Sequence, residues 1–170
     1  MISLLKVVFT AILFAALFIT GCAVPTRTTS SNRTEMSPWR GRLAVRVEAD
    51  QQQTQAQSFA AGFELSGNAQ AGELTLFTPL GTTIAAISWS AQTAALHRNG
   101  EVRTFESLDA LIKEAVGTEI PVVAFFAWLA GDNMAVAGWS ADLSQYAIGR
   151  ITARRTEPAP PAELRLVLEK

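Results

Sequence analysis

Cys22 is the only cysteine of the 170-residue chain, and the residues before it say how it is used. Lys6 supplies a short positive region, Val7 to Ile19 is almost wholly apolar, and Ile19-Thr20-Gly21-Cys22 closes the stretch. That order reads as a secretion signal, since a membrane-spanning helix needs about 20 apolar residues and stronger charged flanks. Cleavage is expected before Cys22, leaving that residue to serve as a lipid anchor. With no second cysteine an intramolecular disulfide is impossible, even in an oxidising compartment.

The rest of the chain offers little catalytic chemistry. His97 is the only histidine and sits beside a hairpin. No metal-ligand spacing, glycine-rich phosphate loop or Gly-x-Ser-x-Gly turn occurs, so neither an enzyme nor a bound cofactor or metal is expected. Pro79-Leu80-Gly81 is of a different kind: proline sets the approach to a turn, glycine permits the tight exit, and the leucine between them is pushed outward. Two readings stand for Leu80, an apolar tip for lipid or a side chain folded back as ordinary packing. Arg150, Arg154 and Arg155 likewise read either as a solvated outer face or as a contact for an acidic carrier surface. The formal charge of −1, which becomes about −2 once Lys6 is removed, excludes a nucleic-acid binder.

The elements that must position these residues follow from periodicity. Ala23 to Pro38 has almost no large apolar side chain and is expected to be a flexible tether of root-mean-square reach roughly 20–25 Å. From Trp39 the period is two: Leu43, Val45 and Val47 share one face, and Arg42, Arg46 and Glu48 the other. Gln51 to Gln57 reads as a loop. Strands follow at Phe59 to Leu65, with Phe59, Phe63 and Leu65 together, then at Glu73 to Thr78, Thr83 to Ser90, Ala94 to His97 and Val102 to Phe105. Asn99-Gly100 between the last two is a strong hairpin signal.

The period then becomes 3.6. Leu108, Leu111, Ile112, Ala115 and Val116 line one face of a helix behind Ser107 as N-cap, and Gly117 stops it. Pro121, at a first helical turn, opens a second helix through Val122, Phe125, Phe126, Trp128 and Leu129 that is apolar around most of its circumference. Strand character returns at Ser140 to Tyr146, Gly149 to Arg155 and Ala162 to Glu169, the last two joined by a turn through Pro158, Pro160 and Pro161. The fold class is α+β: an incomplete antiparallel β-barrel of about nine or more strands, with a helical lid inserted after strand six. Three domains are expected: a signal peptide over 1–21, a lipidated N-terminus and tether over 22–38, and one folded domain over 39–170.

These residues resemble a known family. Ile19-Thr20-Gly21-Cys22 is similar to the lipobox of bacterial lipoproteins, which implies a diacylglyceryl group on the sulfur of Cys22 and an acyl chain on its nitrogen. Ala23, where aspartate would favour the inner membrane, implies sorting to the outer membrane. The lipobox with Trp39 downstream, the segment Leu74 to Thr83, the Asn99-Gly100 hairpin, Ile120-Pro121 and Trp128-Leu129-Ala130-Gly131 together resemble the LolB family of outer-membrane lipoprotein receptors. Nearly all the mature chain is covered. The stretch Gly131 to Gly138 departs from the pattern, replacing a longer hairpin-like segment.

The resemblance implies a barrel whose apolar cavity receives the acyl chains of client lipoproteins from the periplasmic carrier LolA and delivers them to outer-membrane lipid. It implies a protruding loop with an exposed leucine, and Leu80, flanked by Pro79 and Gly81, stands at the matching position. Val45, Phe63, Leu65, Leu76, Ile87, Leu108, Ile112, Phe126 and Trp128, each on the apolar face of its element, are the candidate cavity residues. A residue at such spacing is as readily plain core. A monomer is expected, because a lidded barrel exposes few strand edges. A static assembly lipoprotein with a closed core and a lipid-modifying enzyme are the competing readings.

Overall fold

A computed structural model describes residues 38–49, 51, 55–116 and 118–169. The expected leader, Cys22, the tether up to Met36-Ser37, and Gly117 lie outside the described residues. Alternating sequences produce nine strands: β1 (Trp39–Val47), β2 (Gln57–Gly67), β3 (Gly72–Phe77), β4 (Thr83–Trp89), β5 (Ala94–Arg98), β6 (Glu101–Phe105), β7 (Trp139–Asp142), β8 (Arg150–Arg155) and β9 (Ala162–Leu168). They pair antiparallel in one sheet, in the order β6-β5-β4-β3-β2-β1-β9-β8-β7. The sheet is not closed, since β6 and β7 are its two free edges.

The connection between those edges is the helical lid. Phe105 ends β6 opposite Ala94, which pairs with Trp89, while Trp139 begins β7 opposite Arg155, which pairs with Ala162. The first set lies at the Trp39 end of β1 and the second at its Val47 end, because Gly72 opposes Trp89 and Val47 opposes Ala162. The chain must therefore pass from one edge to the other and from one end to the other. It does so through α1 (Leu108–Val116) and α2 (Val122–Leu129). The Oγ of Ser107 accepts the Ala110 N–H at 3.1 Å, the expected cap of α1.

Differences from the expected elements have local causes. Pro121 is extended (φ −71°, ψ 97°) and caps α2 rather than belonging to its first turn, with its carbonyl accepting the Phe125 N–H at 2.8 Å. The strand expected over Ser140 to Tyr146 stops at Asp142, whose carboxylate accepts the Ser144 N–H at 2.9 Å, and Tyr146–Ile148 form a 3₁₀ turn. That side chain offers the backbone an alternative to the ladder. Ala115 is exposed, so the buried stripe of α1 is narrower than its period implies. Phe59 stays 39% exposed, at the open end of its strand. β2 starts at Gln57, inside the expected loop. In the shortened segment after α2, Gly138 has φ +78° and a Cβ there would fall 1.9 Å from the Glu157 carbonyl oxygen, so only glycine fits.

The core lies on the inner face of the sheet. Val45, Val47, Phe63, Leu65, Ile151, Leu164 and Leu166 are buried there, with Leu111 of α1 and Ala124, Trp128 and Leu129 of α2 laid over them. Phe126 meets the rings of Trp39 and Trp89 at 5.7 and 6.2 Å, while Trp128 meets Trp139 at 6.1 Å. One short helix thus ties β1 and β4 to the far edge strand β7.

On the outer face, the Glu163 carboxylate accepts a hydrogen bond from Arg154 Nε at 2.7 Å. That bond, with Arg165 as a second partner, outweighs burial and holds the carboxyl below the ordinary glutamate range. A depressed folded-state value stabilises the fold above the ordinary range, and the contribution is lost as pH falls through the lower value. Glu163→Gln should therefore lower the melting temperature most at neutral pH, with the gap to the parent closing in strong acid. Thermal melts across that range check this, and a gap independent of pH would contradict it.

Candidate functional site

The Leu80 turn is built from four residues. The Gly81 N–H bonds to the Thr78 carbonyl at 2.9 Å, the Thr78 N–H to the Thr82 carbonyl at 2.8 Å, and the Thr82 N–H to Thr78 Oγ1 at 3.1 Å. Pro79 and Leu80 are therefore the central residues of a β-turn, followed by Gly81 at φ +83°. This is the turn-plus-left-handed-glycine geometry that closes short hairpins with native twist. A Cβ on Gly81 would meet nothing within 4 Å, so glycine is required for its dihedral and not for space. The turn is pinned by its own hydrogen bonds, and Leu80 is 94% exposed at its tip. The folded-back alternative does not describe this side chain.

The turn closes the β3–β4 hairpin partway along the sheet: Phe77 opposes Gly62, which opposes Arg42, while β2 continues five residues further to Gln57 opposite Val47. Phe59, which opposes Val45 three residues beyond Gly62 on β2, is a further exposed apolar side chain towards the Val47 end.

The nine candidate cavity residues fall into three groups. Val45, Phe63, Leu65, Ile87 and Trp128 are buried members of a single core cluster. Leu76, Leu108 and Phe126 are half-buried and packed against it. Ile112 is half-buried but is not among the side chains packed on that cluster. Sheet register brings Leu76 opposite Phe63, and Ile87 opposite Leu74. Leu43, Leu74, Leu96 and Phe105 share the inner face, half-buried against the cluster, and were not in the expected set. Their alternation with polar neighbours is the signal that would have found them. Side chains already buried have their contact surface taken up by neighbours, so the half-buried ones are those with surface left for a guest.

A separate pocket of about 420 Å³ opens beside α1 and shares none of the nine residues. Ser107, Ala110, Ile120, Val136 and Trp139 line it, with Arg155 at its wall. Arg155 was expected with Arg150 and Arg154 on one face, but strand alternation turns it inward, and it is 6% exposed. Its Nη2 donates to the Pro160 carbonyl at 2.7 Å, and its guanidinium lies 5.9 Å from the Trp139 ring centre. Nearby, Lys113 Nζ donates to Glu119 at 2.7 Å and holds that carboxyl below its ordinary range, the Arg155 charge adding to the effect. Among the described residues no group of His, Cys, Asp and Glu is arranged to hold a metal ion.

Comparison with known proteins adds an independent line. The family model described as "Outer membrane lipoprotein LolB" matches residues 38–158. Outer-membrane lipoprotein LolB of Bordetella pertussis (strain Tohama I) is 34% identical over 152 residues, covering 75% of each chain. The protein of the same name from Bordetella petrii is 28% identical over 153 residues, covering 76% of each. That of Shewanella sp. (strain MR-7) is 29% identical over 135 residues, covering 74% of this chain and 60% of the relative. With an open nine-stranded antiparallel sheet, a helical lid after its sixth strand, and a family match across most of the folded domain, the chain belongs to the LolB family of outer-membrane lipoproteins.

Proposed function

We propose that this outer-membrane lipoprotein is the acceptor of the lipoprotein localisation pathway. It receives client lipoproteins from the periplasmic carrier LolA, shelters their acyl chains against the apolar inner face, and releases them into the inner leaflet of the outer membrane. The observation that carries the reading is the pairing of an apolar interior under a helical lid with one leucine held almost fully in solvent. A leucine in that position has no folding role to account for it. Inserted at the hydrocarbon boundary it gains about 1.5–3 kcal/mol, too little to anchor a protein and enough to press a tethered one against lipid reversibly.

The anchor in this reading is Cys22, carrying acyl chains after removal of residues 1–21, with 22–38 joining it to the domain that begins at Trp39. Half-buried Leu76, Leu108 and Phe126, with Leu43, Leu74 and Leu96 beside them, are the side chains proposed to meet a guest chain first. Each methylene of an acyl chain taken from water is worth about 0.8 kcal/mol, so transfer needs only a somewhat better fit than the donor provides. The protein acts as a monomer, and its chemistry is binding and not catalysis.

The test is a transfer reaction with the full chain anchored in vesicles and carrier loaded with a labelled lipoprotein. Label should leave the carrier, pass through a complex with this protein and end in vesicle lipid. Label that stays on the carrier would overturn the acceptor reading and favour a static assembly role. Hydrolysis of any lipid during the reaction would instead favour an enzyme.

A further inference from the structure

β1, β9 and β8 lie side by side, and their register sets the outward residues in rows. Arg42, Val167 and Arg150 form one row, Ala44, Arg165 and Thr152 the next, and Arg46, Glu163 and Arg154 the third. Five exposed arginines thus share a field with Glu163, and Glu48 flanks it 2.9 Å from Arg46. Glu163 is taken up by Arg154 and Arg165. Arg42 and Arg150 make no ion pair among the described residues. The chain as a whole carries a formal charge of −1, so this concentration of positive charge is a property of one face and not of the composition.

Two aliphatic side chains stand among these charges. Val167 is 47% exposed in the same row as Arg42 and Arg150, and Ile148 is 61% exposed two residues before Arg150. The Leu168 N–H bonds to the Gly149 carbonyl at 2.7 Å, which fixes the Ile148 turn beside the end of β9. Exposed aliphatics ringed by arginines suit an interface between hydrocarbon and phosphate: the apolar tips reach the acyl boundary while guanidinium groups fork onto phosphate oxygens. The row lies in the half of β1 where the chain enters from Pro38, and register sets it level with the end of β3, because Arg42 opposes Gly62 and Gly62 opposes Phe77.

We infer that this face, with Arg42, Arg150 and Arg165 around Val167 and Ile148, is a second lipid-contact surface that binds anionic headgroups. The inference rests on the outer-membrane location of the family and not on the acceptor reading, so neither cargo nor carrier enters its test. An acidic protein partner would meet the same charges, and the test distinguishes it by the need to add that protein.

The test is hydrogen exchange on the full chain anchored in vesicles of phosphatidylcholine alone or containing phosphatidylglycerol. Amides from Tyr146 to Arg150 and around Val167 should be slowed only on the anionic vesicles, and high salt should abolish the difference. Each arginine near an anionic surface strengthens association by roughly fivefold. Arg42→Glu with Arg150→Glu should therefore lower it by more than tenfold, and Val167→Asp should lower it without changing the charge of the arginines. Exchange that is the same on both vesicle types would overturn the proposal. So would protection that survives the double reversal, or protection that needs an added acidic protein.

Discussion

Leu80→Glu should leave acceptance of a client lipoprotein from its carrier within about twofold of the parent and cut delivery into lipid roughly ten- to a hundredfold. The estimate converts the 1.5–3 kcal/mol of one inserted leucine at 1.4 kcal/mol per factor of ten. The turn itself should survive. Its hydrogen bonds run through Thr78, Gly81 and Thr82 and none uses the Leu80 side chain, which is 94% exposed. A surface change of this kind shifts stability by no more than about 0.5 kcal/mol. The measurement is a two-stage one, counting label bound to the protein and label in vesicle lipid separately. Accumulation of a loaded, undischarged protein is the expected outcome. Normal delivery by the variant would remove Leu80 from the mechanism, and loss of acceptance as well would mean that the turn serves docking with the carrier. Leu80→Phe should restore delivery, since an aromatic ring also partitions to the membrane interface.

The Leu80 turn was legible in the sequence because its chemistry is local. Pro79 and Gly81 dictate a backbone path on their own, and Asn99-Gly100 does the same at the β5–β6 hairpin, where φ is +54° and +81°. Strands β1, β2, β4 and β9 were legible because one buried face forces strict alternation. What escaped depended on strand parity and on side-chain bonds that hydrophobic periodicity does not weigh. Arg155 reads as a third member of an arginine cluster, yet odd parity on β8 places it inside, where the Pro160 carbonyl and the Trp139 ring receive it. No property of the arginine alone distinguishes it from Arg154. The end of β7 turned on a single bond accepted by the Asp142 carboxylate from the Ser144 N–H, and Ala115 is exposed although the helical period sets it on the apolar stripe. The candidate interior was legible as a face and not as a depth: period says which way Val45, Leu76 and Phe126 point, and only packing says which of them retains free surface.

That distinction between depth and face sets the second large effect. Trp128 is wholly buried, donates its Nε1–H to the Met134 carbonyl at 3.1 Å and packs on Trp139. It therefore secures the segment after α2 to the lid as well as filling the core. Trp128→Ala should cost about 3–5 kcal/mol, from lost transfer energy and the void left behind. For a domain of this size that is a fall of about 10–20 °C in melting temperature. Because small domains are stable by only about 5–15 kcal/mol, a sizeable unfolded fraction near the upper end of the working range follows. Trp128→Phe should lose much less, since the ring volume is largely kept and the Met134 carbonyl, on a residue 37% exposed, can turn to water. Leu76→Ala supplies the contrast: a half-buried side chain truncated on the same inner face should cost less stability than Trp128→Ala and alter acyl-chain uptake more. Calorimetry paired with the transfer reaction separates the two effects. If Trp128→Ala melts with the parent, the lid is not held by its core contacts; if Leu76→Ala changes melting alone, the half-buried inner face is ordinary packing and the guest lies elsewhere.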